Sequence, residues 1–108
     1  MAVTSKPWDG SAARFSNSEY ARSCILDRAD CSPAARDMPA KERYSLPIRE
    51  PSGTLNASAL GSAAAALSGA RSPLKACPAA KAAAARKLLR AYGEAHMTPP
   101  DSLKQRAA

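Results

Sequence analysis

The clearest periodicity lies toward the basic end of the chain. In "PAAKAAAARKLLRAYG", Ala85, Leu88, Leu89 and Tyr92 recur at helical spacing, with Lys81, Arg86, Lys87 and Arg90 around the rest of the circumference. Pro78 suits a first helical turn and Gly93 a C-terminal cap, so the pattern predicts a helix over about 78–92. A second helix is expected from Asn56, a good N-cap, through "ASALGSAAAALS" to Gly69; Leu60 and Leu67 share a face, and Gly61 interrupts at a cost of ~1 kcal/mol. A third start signal stands earlier. Ser16 and Glu19 have capping-box spacing, and Phe15 and Tyr20 fit a hydrophobic staple, which predicts a helix from about Asn17 to Leu26 with Tyr20 and Cys24 on one side.

Between these lies polar or extended chain. The segment from Asp27 to Pro39 is punctuated by Pro33 and Pro39 and reads as a linker. Tyr44, Leu46 and Ile48 then alternate as in a strand. Pro47 has no N–H to give a ladder, so an edge strand or an extended peptide is expected there. The ending "MTPPDSLKQRAA" offers one more short helix. The expected fold is mainly α, a small two- to three-helix module with an extended N-terminal arm and proline-rich loops. Residues 1–40 would form the arm with its short helix, 41–96 the helical module entered by the extended strip, and 97–108 a tail.

Composition changes this picture by weakening the core. Of 108 residues, 26 are alanine, and Leu, Ile, Val and Phe together number 13. Alanine favours helix but removes little area from water, so secondary structure should outrun the core, with order drawn from contacts outside the chain. The net charge of +7 is uneven, since residues 1–53 carry eight basic against seven acidic side chains and residues 54–108 eight against two. An electrostatic partner would act on the C-terminal half. The N-terminus lacks the apolar run of a signal peptide and no segment approaches a membrane span of ~20 residues, so no membrane is expected among the partners.

Little catalytic chemistry is legible. His96 is the only histidine, and no GxSxG motif accompanies the serines. Cys24, Cys31, Cys77 and His96 could form a three-sulfur, one-nitrogen zinc set, but their spacings are poor, and reduced, isolated thiols are the expectation. Cys77 can instead stand in for serine as the cap before Pro78. No enzyme activity, metal or cofactor is expected. Lys81, Arg86, Lys87 and Arg90 are the best candidates for contacting nucleic-acid phosphates; against that, the expectation is that they encircle the helix as solvating groups do instead of forming one stripe. Trp8, Phe15, Tyr20, Tyr44, Leu46 and Ile48 are nearly all the large apolar groups of the N-terminal half. Either they wrap back onto the helix pair, or they anchor the arm to another protein.

One arrangement extends beyond these patterns. "RYSLP", then an alanine-rich helix, then "AAKAAAARKLLRAYG" resembles a small module of tailed bacteriophages that stands beside, or fused to, the prohead protease. Arg43, Tyr44, Leu46 and Pro47 match its entry motif, Ala57 to Leu67 its first helix, and Lys81 to Tyr92 its second; the N-terminal stretch from Lys6 to Cys31 is similar to an extension carried by some members. The chain departs from the pattern at Ser45, where proline is common, and has no attached protease domain, so no catalytic residue carries over. The resemblance implies a structural accessory protein of a phage head, a decoration (cement) or minor capsid protein. It would bind the major capsid protein, the candidate contacts being Trp8, Phe15, Tyr20, Arg43, Tyr44, Leu46 and Ile48, with copies of itself as a second candidate partner. Its place would be the virion, after assembly in the host bacterial cytoplasm. The alternatives are a nucleic-acid-binding accessory acting through the basic helix, and an assembly helper of the prohead protease.

Overall fold

Local capping chemistry sets the helix starts. In the computed structural model, which describes residues 3–69 and 76–107, the elements in chain order are β1 (Val3–Thr4), α1 (Asn17–Ser23), β2 (Cys24–Asp27), α2 (Ala40–Arg43), β3 (Tyr44–Pro47), β4 (Leu55–Asn56), α3 (Ala57–Ser68), α4 (Pro78–Glu94) and α5 (Asp101–Ala107). Turns of 3-10 helix lie at Ala12–Arg14, Arg28–Asp30 and Pro33–Asp37. The architecture is mainly helical, as expected, with two small two-stranded sheets added.

At α1 the capping box is complete. Ser16 Oγ accepts from the Glu19 N–H at 3.2 Å, and Glu19 Oε1 accepts from the Ser16 N–H at 2.7 Å. Phe15 and Tyr20 close the staple edge to face, 5.5 Å between ring centroids. The helix stops at Ser23, short of the predicted Leu26, because Cys24–Asp27 finds a backbone partner. It pairs antiparallel with the strip, Cys24 opposite Pro47, Leu26 opposite Ser45 and Asp27 opposite Tyr44. Tertiary pairing outweighs the helical continuation.

The strip is not an edge throughout. Beyond β3, the Ile48 N–H donates to the Ser23 carbonyl at 2.9 Å, while the Ile48 carbonyl accepts from the Asn56 N–H at 3.1 Å. A turn through Glu50–Gly53 brings the chain back, with Gly53 at φ 99°. β4 then pairs parallel with β1 through Val3–Leu55 and Thr4–Asn56. The start of the expected free arm is thus held against the chain's own fold. Leu46 sits in the strip at φ 62°, a left-handed conformation that crowds its Cβ and costs roughly 1–2 kcal/mol.

α3 begins as predicted. Asn56 is fully buried, and its Oδ1 accepts from the Ser58 and Ala59 N–H groups at 2.9 and 3.1 Å. Gly69 closes the helix at φ 77°. α3 packs on α4, with Leu60, Leu67, Leu88 and Tyr92 buried among Ala59, Ala63, Ala80, Ala84, Ala85 and Ala91. Here alanine is core material. Its short side chain lets helices approach closely, so backbone and methyl contacts supply dispersion that a count of large apolar residues leaves out. Ile25, Leu26, Ile48 and Leu55 from the strands and Leu103 from α5 complete this interior. The expected tail is therefore docked through a buried leucine.

Two predicted features of α4 change. Gly93 lies inside the helix, which runs to Glu94 with Ala95 as its last cap. The left-handed residue that ends it is His96, at φ 56°. The His96 N–H donates to the Gly93 carbonyl at 3.1 Å and the Met97 N–H to the Tyr92 carbonyl at 2.9 Å, the paired bonds of a Schellman ending. At the other end Cys77 caps the helix, its Sγ accepting from the Ala80 N–H at 3.4 Å. That sulfur is also bonded to Cys31, with Cα atoms 5.8 Å apart. The expectation of three reduced thiols is thereby corrected. The residues are separated by 46 positions, and only the packing of the 3-10 turns beside the start of α4 brings them together.

Candidate functional site

The anchor residues proposed from sequence fall into two groups. Phe15, Tyr20 and Ile48 are 3%, 7% and 4% exposed; Ile48 joins the core shared with α3 and α4, whereas Phe15 and Tyr20 are buried against each other outside that core. Trp8, Tyr44 and Leu46 remain half-exposed, Trp8 and Leu46 resting against the edge of the core. Arg43, the last residue of α2, ties the start of the strip to Asp27 at the end of β2. Its Nε and Nη2 donate to the two Asp27 carboxylate oxygens at 2.8 and 2.9 Å, and its guanidinium lies 4.8 Å from the centre of the Tyr44 ring. That two-point bond to Arg43 holds the Asp27 carboxyl below its usual range. Arg14 lies 6.0 Å from the Trp8 ring centre and pairs with Glu50 at 2.8 Å.

The basic residues of α4 also separate. Arg86, Lys87 and Arg90 fall within an arc of roughly 100° on the helix, while Lys81 lies well outside it. Lys87 and Arg90 then meet residues that sequence reasoning left aside. The end of α1, the start of β2 and the Ile48–Arg49 bend lie over this part of α4 and enclose a groove of about 290 Å³. Arg22, Arg49, Lys87 and Arg90 line it with a single carboxylate, Glu94. Four cations face one anion. Glu94 is already engaged, 3.3 Å from Arg49, whereas Lys87 and Arg90 have no ion-pair partner among the described residues.

The groove wall is polar at one further point. Ser23 is 2% exposed, and its Oγ has no hydrogen-bond partner among the described residues. An unpaired buried hydroxyl costs about 1–3 kcal/mol. Cys24 stands beside it. Burial, the larger influence, pushes its thiol up to about 12, so it stays protonated at neutral pH; Tyr20, in contact with it, is likewise raised to about 12, mainly by burial. Nothing in α1 or the strip announces Arg22, Ser23 or Arg49 as site residues. Only the β2–β3 pairing carries them over α4.

Of the residues weighed as a zinc set, Cys31 and Cys77 are spent on each other, and among the described residues no three His, Cys, Asp or Glu side chains gather as metal ligands. Among the described residues, no helix is long and apolar enough to cross a membrane. No protein-family model matches this chain, nor does any curated protein or solved structure.

Proposed function

We propose that this chain is a structural accessory of a tailed-phage head, a decoration or minor capsid protein that adheres to the major capsid protein. The observation that carries the proposal is the entry strip. Its "RYSLP" stretch, on which the resemblance rests, also holds two of the three large apolar side chains of the N-terminal half left half-exposed, Tyr44 and Leu46. Aromatic and aliphatic groups displayed on a hydrogen-bonded backbone can bury area against a partner at little further cost in chain entropy. Trp8 adds a third anchor. Adhesion, not turnover, is the mechanism, and the rigid helix pair behind the strip serves as its support.

Copy number in purified virions tests this reading. Hundreds of copies per head are expected of a cement protein and a few of a minor component, while absence from mature heads overturns it. Replacing Tyr44 and Leu46 together with alanine should strip the chain from heads, because each buried apolar side chain is worth ~1.5–3 kcal/mol. Lys104→Ala should leave occupancy unchanged, since an exposed lysine contributes little.

A further inference from the structure

We propose that the groove between α4 and the α1–β2 junction is a phosphate site for duplex nucleic acid, in which Arg22, Lys87 and Arg90 neutralise backbone phosphates beside the Ser23 hydroxyl. The site is distinct from the strip and the half-exposed anchors, so it goes beyond adhesion to a shell.

Three observations converge on it. The cations come from two walls, Arg22 from the end of α1 and Lys87 and Arg90 from α4, so they surround a volume and do not merely decorate a helix. The local charge is only partly compensated. Glu94 pairs with Arg49; Asp27, itself held by Arg43 at 2.8 Å, acts on Lys87; and Glu19 acts on Arg22, whose guanidinium also donates to the Pro51 carbonyl at 3.3 Å. Gathering like charges around a concavity raises the local potential and favours an anion there. Finally, Ser23 belongs to this wall and its buried Oγ has no hydrogen-bond partner among the described residues; a small turn of that side chain toward the groove would let a phosphate oxygen accept from it.

The chemistry points to a polymer backbone. Arg86 continues the basic arc beyond the groove, so more than one phosphate along a strand could be engaged. Tyr92, the one aromatic of α4, is 4% exposed and offers no surface for stacking unpaired bases. Recognition should be of the duplex backbone and blind to sequence.

The test is binding of the full-length protein to a fluorescent 20-base-pair DNA duplex at two salt concentrations. Wild-type protein should bind at low salt with a steep salt slope. Arg22→Gln, Lys87→Gln and Arg90→Gln combined should weaken binding about tenfold or more and reduce the slope by about 2–3, near 0.9 per lost phosphate contact. Lys6→Gln, Lys41→Gln and Lys104→Gln combined remove the same net charge outside the groove and should have a much smaller effect. Equal losses for the two triple variants would mean diffuse attraction and overturn the site, as would absence of binding by wild type at low salt. Ser23→Ala should bind DNA more weakly while melting no lower than wild type, and unchanged affinity overturns the hydroxyl's part. Inorganic phosphate, titrated alone, should bind more weakly than the duplex; tighter binding of free phosphate would overturn the nucleic-acid assignment.

Discussion

The Asn56 side chain joins two parts of the chain 50 residues apart, donating from Nδ2 to the Lys6 carbonyl at 3.1 Å while its Oδ1 caps α3. One buried amide therefore starts a helix and holds the N-terminal segment beside it. Asn56→Ala should cost about 2–3 kcal/mol, the cap plus a buried bond. Asn56→Asp keeps the cap but loses the donor, so it should loosen residues 3–8 selectively. Amide hydrogen exchange distinguishes these outcomes: protection near Val3 and Thr4 should fall in both variants, and protection at the start of α3 only in Asn56→Ala.

Asp27 and Arg43 make stability depend on acid. The folded-state carboxyl titrates below its unfolded value, so its contribution is fully present above the unfolded pKa of ~3.9 and is lost as pH falls through the folded value. Asp27→Asn should lower Tm at neutral pH and flatten the acid limb of the Tm–pH curve. The variant and wild-type curves should converge toward pH 2, and parallel curves down to that pH would count against the pair.

Reduction should act through two separable effects. Opening a loop of 46 residues costs up to about 4 kcal/mol in the chain-entropy description. The double variant Cys31→Ser, Cys77→Ser loses that constraint but keeps a capping oxygen at position 77. Cys31→Ser with Cys77→Ala loses the cap as well, and should be less stable by a further ~1 kcal/mol. Urea unfolding of both variants, with and without reductant, measures each part; wild type alone should respond to reductant.

Left-handed backbone at Leu46 and His96 predicts unusual glycine effects. His96→Gly should stabilise by roughly 0.5–1 kcal/mol, since it removes a Cβ penalty at a helix ending where glycine is favoured. Gly93→Ala should also stabilise by a similar amount, because Gly93 is helical and a methyl group there meets nothing within 4 Å. At Leu46, glycine should be tolerated better than alanine, the reverse of the usual order in a strand. Thermal melts of the four variants check all three statements.

What was legible in sequence was what neighbours along the chain decide. Ser16 with Glu19, Asn56 before its alanines and Cys77 before Pro78 act within four residues, and each starts a helix where expected. Features that need a distant partner were not legible. Cys24–Asp27 is a strand only because Tyr44–Pro47 lies beside it, and His96 ends α4 because the chain must turn there to bring Leu103 onto the core. The same division runs through the groove. Lys87 and Arg90 stood out as basic positions, but Arg22, Ser23 and Arg49 belong to it through folding alone.

The bond between Cys31 and Cys77 turns the intervening chain, with β3, β4 and α3, into a covalent ring from which the two terminal segments branch. A single peptide-bond cut within that ring opens it without releasing a fragment. Nicked protein would migrate as one species on a non-reducing gel and as two after reduction. Such a ring lets the polypeptide be cleaved once and still keep its whole mass in place.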